Sequence, residues 1–172
     1  MKTEGRYIEF FAPRKARLCT GAIDSEALAA NEVLVRTEYT VISGGTEKAY
    51  LIGAPNTPQS FPTRLGYCGI GRVEAVGSGV ENFKNGDRVL VYHGTHADYN
   101  VVDASKLTLV EDESINSLEA AFVVIATMGL AACANWRSSL ARAPWSWDLG
   151  FSACLPCSSL QEAAQIPSSP PT

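Results

Sequence analysis

Glycine-marked turns between short apolar strands are the feature that most restricts the fold of this chain. The stretch GIGRVEAVGSG, which begins at Gly69, predicts a strand that ends in a glycine turn. Further on, Asn85-Gly86 is a strong tight-turn signal, and it directly precedes the predicted strand Arg88–Tyr92. Because positive φ costs little only for glycine, we expect Gly77, Gly79 and Gly86 to serve the turns and not the chemistry.

Other segments before residue 112 also have the two-residue period of strands. The stretch NEVLVRTEYTVIS alternates, and HADYNVVDASKLTLV predicts two more short strands. The first of these stretches places on one face Val33, Val35, Thr37 and Tyr39, and on the other Leu34, Arg36 and Glu38. Several short strands with regularly spaced turns favour a barrel or a sandwich.

A helix is predicted after the last strand. Asn116 and Glu119 have the spacing of a capping box, and an apolar segment follows them, so we expect a helix from about Ser117 to Cys133. The predicted fold class is therefore mainly β, a barrel or a sandwich followed by a C-terminal helix.

Charge and hydropathy exclude several classes of partner. With 18 acidic and 14 basic residues the net charge is −4, which argues against binding to a nucleic-acid backbone. The start, MKTEGRYIEF, has no apolar run typical of a secretory signal. The longest apolar stretch, Ala120–Cys133, falls short of the roughly 20 residues that span a bilayer. We therefore expect a cytoplasmic protein that does not bind membranes, whose five cysteines form no disulfide framework.

Residues 31–133 resemble a known family of catalytic domains. The ungapped stretch Gly69–Val89 has the form G-x-G-x-V-x-x-V-G-x-x-V-x-x-F-x-x-G-D-R-V, and NEVLVRTEYTVISGGTE precedes it in the expected order. This resembles the N-terminal, GroES-like domain of the medium-chain dehydrogenase/reductase superfamily, the alcohol-dehydrogenase-like enzymes. The resemblance implies a GroES-like barrel with a C-terminal helix over residues 1–133, paired in the family with a Rossmann domain that binds NAD(P). It also implies hydride transfer between the nicotinamide and a small-molecule carbonyl, alcohol or activated double bond.

The resemblance implies a zinc-free member. Zinc-dependent relatives have Cys-Gly-[Thr/Ser]-[Asp/Glu] and Gly-His-Glu motifs, and here the matching segments are Gly44–Glu47 and Gly66–Cys68. Gly44 thus replaces the cysteine ligand and Tyr67 the histidine ligand, whereas catalytic zinc needs three protein ligands. The cysteine-rich lobe that holds structural zinc is also missing, so we expect no zinc.

Three residues are candidates for catalysis by this resemblance. Thr46 matches the family's hydroxyl that hydrogen-bonds the substrate and passes a proton, and Glu47 follows it. Tyr67 could donate a proton to the substrate oxygen, or it could simply line the cleft and fill space. We expect Cys68 to be partly exposed beside Tyr67 and to be a packing residue instead of a nucleophile.

Two other motifs invite a functional interpretation. His93 and His96 on an exposed turn could bind a stray metal ion, but two ordinary surface histidines are the preferred interpretation. Gly69-Ile70-Gly71 lacks a third glycine and opens a strand, so we expect no phosphate-binding loop there and name no cofactor-binding residue.

The composition changes abruptly after Cys133. All three tryptophans lie there, as does the Cys154-x-x-Cys157 pair, and neither a helical nor a strand period persists. A one-base shift of reading frame would turn Trp147–Asp148 into glycine. The shifted reading frame permits a sequence with a strand, a G-x-G-x-x-G turn and an acidic residue about 20 residues later. This is the order found in a dinucleotide-binding unit. We therefore interpret residues 134–172 as a frameshifted, unstructured tail.

This interpretation predicts that the 172-residue chain binds no NAD(P) and has no turnover, because hydride transfer needs both halves of the enzyme. Two alternatives stay open. One is a stand-alone GroES-like binding module whose Trp- and Cys-rich tail docks a partner. The other is a thiol-redox or metal protein that uses Cys154 and Cys157. The sequence does not indicate an oligomeric state.

Overall fold

A computed structural model describes residues 2–139 of the chain, and the side chains of residues 2–131. In chain order its strands and α-helices are β1 (Lys2–Ala12), β2 (Lys15–Asp24), β3 (Glu32–Val41), α1 (Gly44–Ile52), β4 (Cys68–Val76), β5 (Arg88–Tyr92), β6 (Tyr99–Asp103), β7 (Leu107–Leu109), α2 (Ser117–Ala121) and α3 (Val123–Ser139). The strands β4 to β7 lie where the sequence predicts them, and β5 has the predicted bounds.

The strands form two antiparallel sheets. β1 pairs with β2 as a hairpin, and the other five strands form one sheet in the order β6-β3-β4-β5-β7. Isolated bridges join the hairpin strand β1 to Ala97 and to Thr63. The predicted mainly-β fold with a helix after the last strand is confirmed.

The core lies inside the five-stranded sheet. It is a cluster of seven buried aliphatic side chains: Val33, Val35, Val73, Val89, Val91, Val102 and Leu107. Val33, Val35 and Val89 have no exposed surface at all. Full burial of a side chain of this kind stabilises a fold by about 1.5–3 kcal/mol, so this cluster is the main source of stability for the sheet.

A bulge in β3 changes the predicted alternation. Thr37 pairs with Gly71 but Tyr39 pairs with Ile70, so Glu38 is an extra residue in the ladder. A shift of one residue moves a side chain to the other face of a strand. The prediction that Tyr39 shares a face with Thr37 is therefore wrong, and the Tyr39 side chain is 48% exposed.

The glycines of the turns have two different physical roles. Gly86 has φ +92°, as predicted for the tight turn. Gly77 and Gly79 do not have positive φ, so that part of the prediction is wrong. A Cβ atom on Gly77 would instead lie 2.0 Å from the carbonyl oxygen of Ala29, so glycine is needed here because two backbone segments approach closely.

The predicted helix is present but divided. The Asn116 side chain accepts a hydrogen bond from the Glu119 amide at 2.8 Å, which confirms the N-terminal cap. Phe122 ends α2, and α3 continues to Ser139, beyond the predicted end at Cys133. None of the helices in the described part of the chain is long and apolar enough to cross a membrane.

Residues up to Val124 form one compact unit, and a second begins at Ile125. The predicted domain boundary at residue 133 stays a prediction. Residues 140–172, which include Trp145, Trp147, Cys154 and Cys157, lie outside the described residues.

Gly77→Ala tests the close backbone approach. We expect this change to lower the free energy of unfolding by about 1–3 kcal/mol, since the added methyl group overlaps the Ala29 carbonyl. The matched control is Gly45→Ala, where a Cβ meets nothing within 4 Å, and a gain of up to about 1 kcal/mol is expected in the helix. Urea denaturation measures both, and equal stability of the two variants would contradict the assignment.

Candidate active site

The helix α1 carries two of the predicted site residues. It begins at Gly44, and its N-cap residue Ser43 makes no side-chain capping bond. Thr46 is exposed, whereas Glu47 is buried and is the one buried residue of α1. Adjacent residues of a helix point in different directions, so these two side chains face different surroundings.

The Glu47 carboxylate makes two short hydrogen bonds. Its Oε1 accepts the backbone N–H of Ser43 at 2.7 Å, and its Oε2 lies 2.8 Å from Nε2 of His96. The side chains of Glu47 and His96 are only 10% and 9% exposed. A buried carboxylate needs such partners, because leaving it unpaired away from water is costly.

His96 is the functional residue that sequence reasoning missed. It is not the surface histidine that was expected, because its ring is buried and both ring nitrogens have partners. Nδ1 lies 2.8 Å from Oγ1 of Thr40, and the backbone N–H of His96 donates to the Leu65 carbonyl at 2.9 Å. No local pattern reveals this contact, since 49 residues separate Glu47 from His96.

Tyr67 lies just before β4 in an aromatic cluster. Its ring meets the rings of Tyr92 and His93 edge to face, at centroid distances of 5.7 and 5.8 Å. Burial, and then a hydrogen bond with Tyr92, raise the pKa of Tyr67 to about 12. His93 is exposed, as expected, and has φ +58°, a conformation uncommon for any residue but glycine.

Cys68 packs in the interior beneath α2. It is 2% exposed, and its Sγ lies 3.7 Å from the carbonyl oxygen of Ala121. Burial, and then the negative charge of Glu47, raise the pKa of the Cys68 thiol, which disfavours the reactive thiolate. The predicted packing location is confirmed, but the expected partial exposure is wrong.

Thr40 lies between two cavities. An open groove of about 350 Å³ is lined by Thr40, His96 and residues of β1. A second cavity of about 10 Å³, roughly the room that one water needs, is lined by Thr40, Tyr67 and Asn100 among others. The structure thus brings Glu47 to His96 and Tyr67 to the same cavity as Thr40, while Thr46 remains on the exposed side of α1.

The donor set does not fit catalytic zinc. Among the residues that the structure describes, no three His, Cys, Asp or Glu side chains form a metal-binding group. At Gly44, where the family pattern has a cysteine, an added Cβ would meet nothing within 4 Å. That the protein uses no zinc stays a prediction.

The first glycine pair does not fit a dinucleotide-binding turn either. Gly69 and Gly71 lie inside β4, where their backbones pair with β3. A Cβ would lie 2.5 Å from the Tyr39 carbonyl oxygen at Gly69 and 2.3 Å from that of Arg36 at Gly71. These glycines permit close strand pairing, so the described residues do not cradle a pyrophosphate in this way.

One segment of the chain matches a known family model. Residues 29–112 match the family model described as the alcohol dehydrogenase GroES-like domain. Residues 29–112, just under half of the chain, are therefore similar to this family's domain. The family resemblance found in the sequence is thereby confirmed, and its GroES-like domain contains Thr46, Glu47, Tyr67 and His96.

Relatives of the GroES-like domain are dehydrogenases and reductases. The chain is 39% identical over 64 residues to S-(hydroxymethyl)glutathione dehydrogenase of Komagataella pastoris, a match that covers 37% of this chain and 16% of the relative. A quinone oxidoreductase of Pseudomonas syringae is 28% identical, with TM-score 0.55 over 68% of this chain and 36% of that one. An Escherichia coli oxidoreductase/dehydrogenase of unknown specificity shares the fold, at 22% identity and TM-score 0.62 over 74% of this chain and 45% of that one. The chain therefore spans less than half the length of each of these relatives.

Because the pKa of Tyr67 is raised, we expect the free energy of unfolding of the GroES-like domain to fall as the pH rises through the alkaline range. The folded state keeps the Tyr67 proton up to about pH 12, whereas an unfolded chain releases it near pH 10. The stabilisation is therefore fully present below pH 10 and is lost as the pH rises to about 12. We expect the free energy of unfolding, measured by urea denaturation, to fall more steeply between pH 10 and pH 12 for wild type than for Tyr67→Phe. If it fell equally in both proteins, the raised pKa would not belong to Tyr67.

Proposed function

We propose that the GroES-like domain supplies the substrate-facing half of an NAD(P)-dependent oxidoreductase that acts on a small-molecule carbonyl, alcohol or activated double bond. The observation that carries this proposal is the match of residues 29–112 to the alcohol dehydrogenase GroES-like family. The similarity to a quinone oxidoreductase at 28% identity and to a glutathione-adduct dehydrogenase at 39% supports it. A cytoplasmic location is part of the same proposal.

The chain's own residues orient the substrate and supply a proton. Thr46, exposed on α1, offers a hydroxyl that can hydrogen-bond the substrate oxygen. With a pKa raised to about 12, the Tyr67 phenol is a weak acid that is protonated at neutral pH, and it can give its proton to a substrate oxygen that becomes an alkoxide, which is a stronger base. NAD(P), if held by residues outside those described, would supply the hydride.

The frame shift inferred after Cys133 is part of this proposal. Resequencing the source DNA across the codons for Met128 to Trp147 tests it directly. A missing or extra base there would support the proposal and provide a frame-restored enzyme for assay. An unchanged frame would overturn the frame-shift part and make Cys154, Cys157 and the tryptophans the next residues to test.

Activity assays test the function itself. We expect the 172-residue chain to oxidise neither NADH nor NADPH with cyclohexanone, benzaldehyde or 1,4-benzoquinone, because under the proposed frame shift the residues after Cys133 no longer have the sequence of a nicotinamide-binding half. In the frame-restored enzyme we expect turnover with one of these carbonyl probes. Tyr67→Phe should lower kcat by roughly 10²–10⁴, the usual contribution of a general acid.

Tyr39→Phe is the matched control, because it removes an exposed phenol of the same domain that lies outside the aromatic cluster. It should leave kcat unchanged. Full turnover by Tyr67→Phe would show that the phenol is not the proton donor. Hydride transfer by the purified 172-residue chain would overturn the expectation that this chain is inactive.

A further inference from the structure

The helix α1 has little intrinsic reason to form where it does. It opens with Gly44 and Gly45, and each glycine costs a helix about 1 kcal/mol relative to alanine. An added Cβ at either glycine would meet nothing within 4 Å, so the side-chain positions of these two residues face open space. Ser43, at the N-cap position, makes no side-chain capping bond. The first turn of α1 therefore depends on another side-chain contact for its stability.

Glu47 is the contact that holds it. It is the one buried residue of α1, and it points away from the exposed Thr46 that precedes it. One carboxylate oxygen binds the Ser43 amide at 2.7 Å, which closes the first turn, and the other lies 2.8 Å from Nε2 of His96. A carboxylate at the N-terminal turn of a helix also interacts favourably with the helix dipole.

His96 is a rigid support for this carboxylate. Its backbone N–H donates to the Leu65 carbonyl and its own carbonyl accepts the Ile8 amide, both at 2.9 Å. Its Nδ1 lies 2.8 Å from Oγ1 of Thr40 in β3. The backbone of His96 is thus held by Leu65 and Ile8, its ring is held by Thr40, and Nε2 is directed at Glu47.

We propose that His96 is a positioning residue that acts through Glu47 to fix the first turn of α1, and with it the substrate-facing hydroxyl of Thr46. This inference rests on the function proposed above for Thr46. It also changes the role expected of Glu47, because both of its oxygens are occupied in holding the turn. Glu47 is therefore a positioning residue, and the proton chemistry belongs to Tyr67 and Thr46.

Two amide substitutions at His96 distinguish the contribution of Nε2, which meets Glu47, from that of Nδ1, which meets Thr40. In His96→Gln the side-chain amide nitrogen lies where Nε2 was, so the bond to Glu47 is kept and the one to Thr40 is lost. In His96→Asn it lies nearer the former Nδ1, so the bond to Thr40 is kept and the one to Glu47 is lost. Both variants keep a neutral polar side chain at the same buried position, which makes them a matched pair.

Amide hydrogen exchange and the Thr46 side-chain couplings of the 172-residue chain measure the effect. We expect His96→Asn to speed exchange of the Ser43 and Glu47 amides at least tenfold and to average the Thr46 χ1 couplings between rotamers. His96→Gln should stay within about threefold of wild type. The amides of Ile70 and Val89 in the core should be unchanged in both variants. Equal behaviour of the two variants at Ser43, Glu47 and Thr46 would overturn the proposal.

The imidazole nitrogen spectrum of the wild-type chain provides a test that needs no folded His96 variant. The chain has two histidines, so His93→Gln assigns the His96 signals. We expect His96 to show a slowly exchanging, hydrogen-bonded Nε2 proton. A fast-exchanging Nε2 proton like that of an exposed ring would overturn the proposal.

The failure of this inference differs from the failure of the proposed function. In the frame-restored enzyme we expect His96→Asn to lower kcat as much as Thr46→Val, and the double variant to be no slower than Thr46→Val alone, because His96 acts only through Thr46. Unchanged turnover in Thr46→Val would reject the proposed role of Thr46, while the exchange data would still decide how α1 is held. If the losses of kcat in the two single variants added up in the double variant, the positioning role of His96 would be overturned, but the proposed function would not.

Discussion

Burial of one aliphatic cluster couples every strand of the main sheet. Its seven side chains come from all five strands, two each from β3 and β5 and one each from β4, β6 and β7. β3 pairs on both edges, with β4 and β6, so its two fully buried valines depend on both neighbours being in register. The candidate site depends on this sheet, since Thr40 lies near the end of β3 and Tyr67 just before β4.

The strands were predictable from the sequence because their determinants are local. Alternation and the Asn85-Gly86 turn are enough to locate β5, and the cap at Asn116 is enough to start α2. The α1 helix was not predicted, because two glycines open it and nothing short-range marks it as a helix. At Gly77 the sequence indicates that glycine is needed but not why. The reason is the Ala29 carbonyl oxygen, which would lie 2.0 Å from a Cβ added at Gly77, and only the fold shows that these two segments meet.

The site was only half predictable for the same reason. Motif positions identify Thr46, Glu47 and Tyr67, but the partner of Glu47 is set by how the loop before β6 folds back on α1. His96 therefore looked like a surface residue in the sequence, and Cys68 looked partly exposed because nothing local shows that α2 covers it. Contacts between residues distant in sequence decide which side chains are buried, and burial decides what their chemistry can be.

The open space at Gly44 bears on which ligand position of the zinc-dependent pattern could accept the family's residue without disturbing the fold. A side chain added there meets nothing within 4 Å, so the backbone has not closed over the position where the zinc-dependent pattern has its thiolate. The obstacle lies instead at Tyr67, whose ring has been built into contacts with Tyr92 and His93. A cysteine at position 44 would enter open space, whereas a histidine at position 67 would replace a ring that makes two edge-to-face contacts.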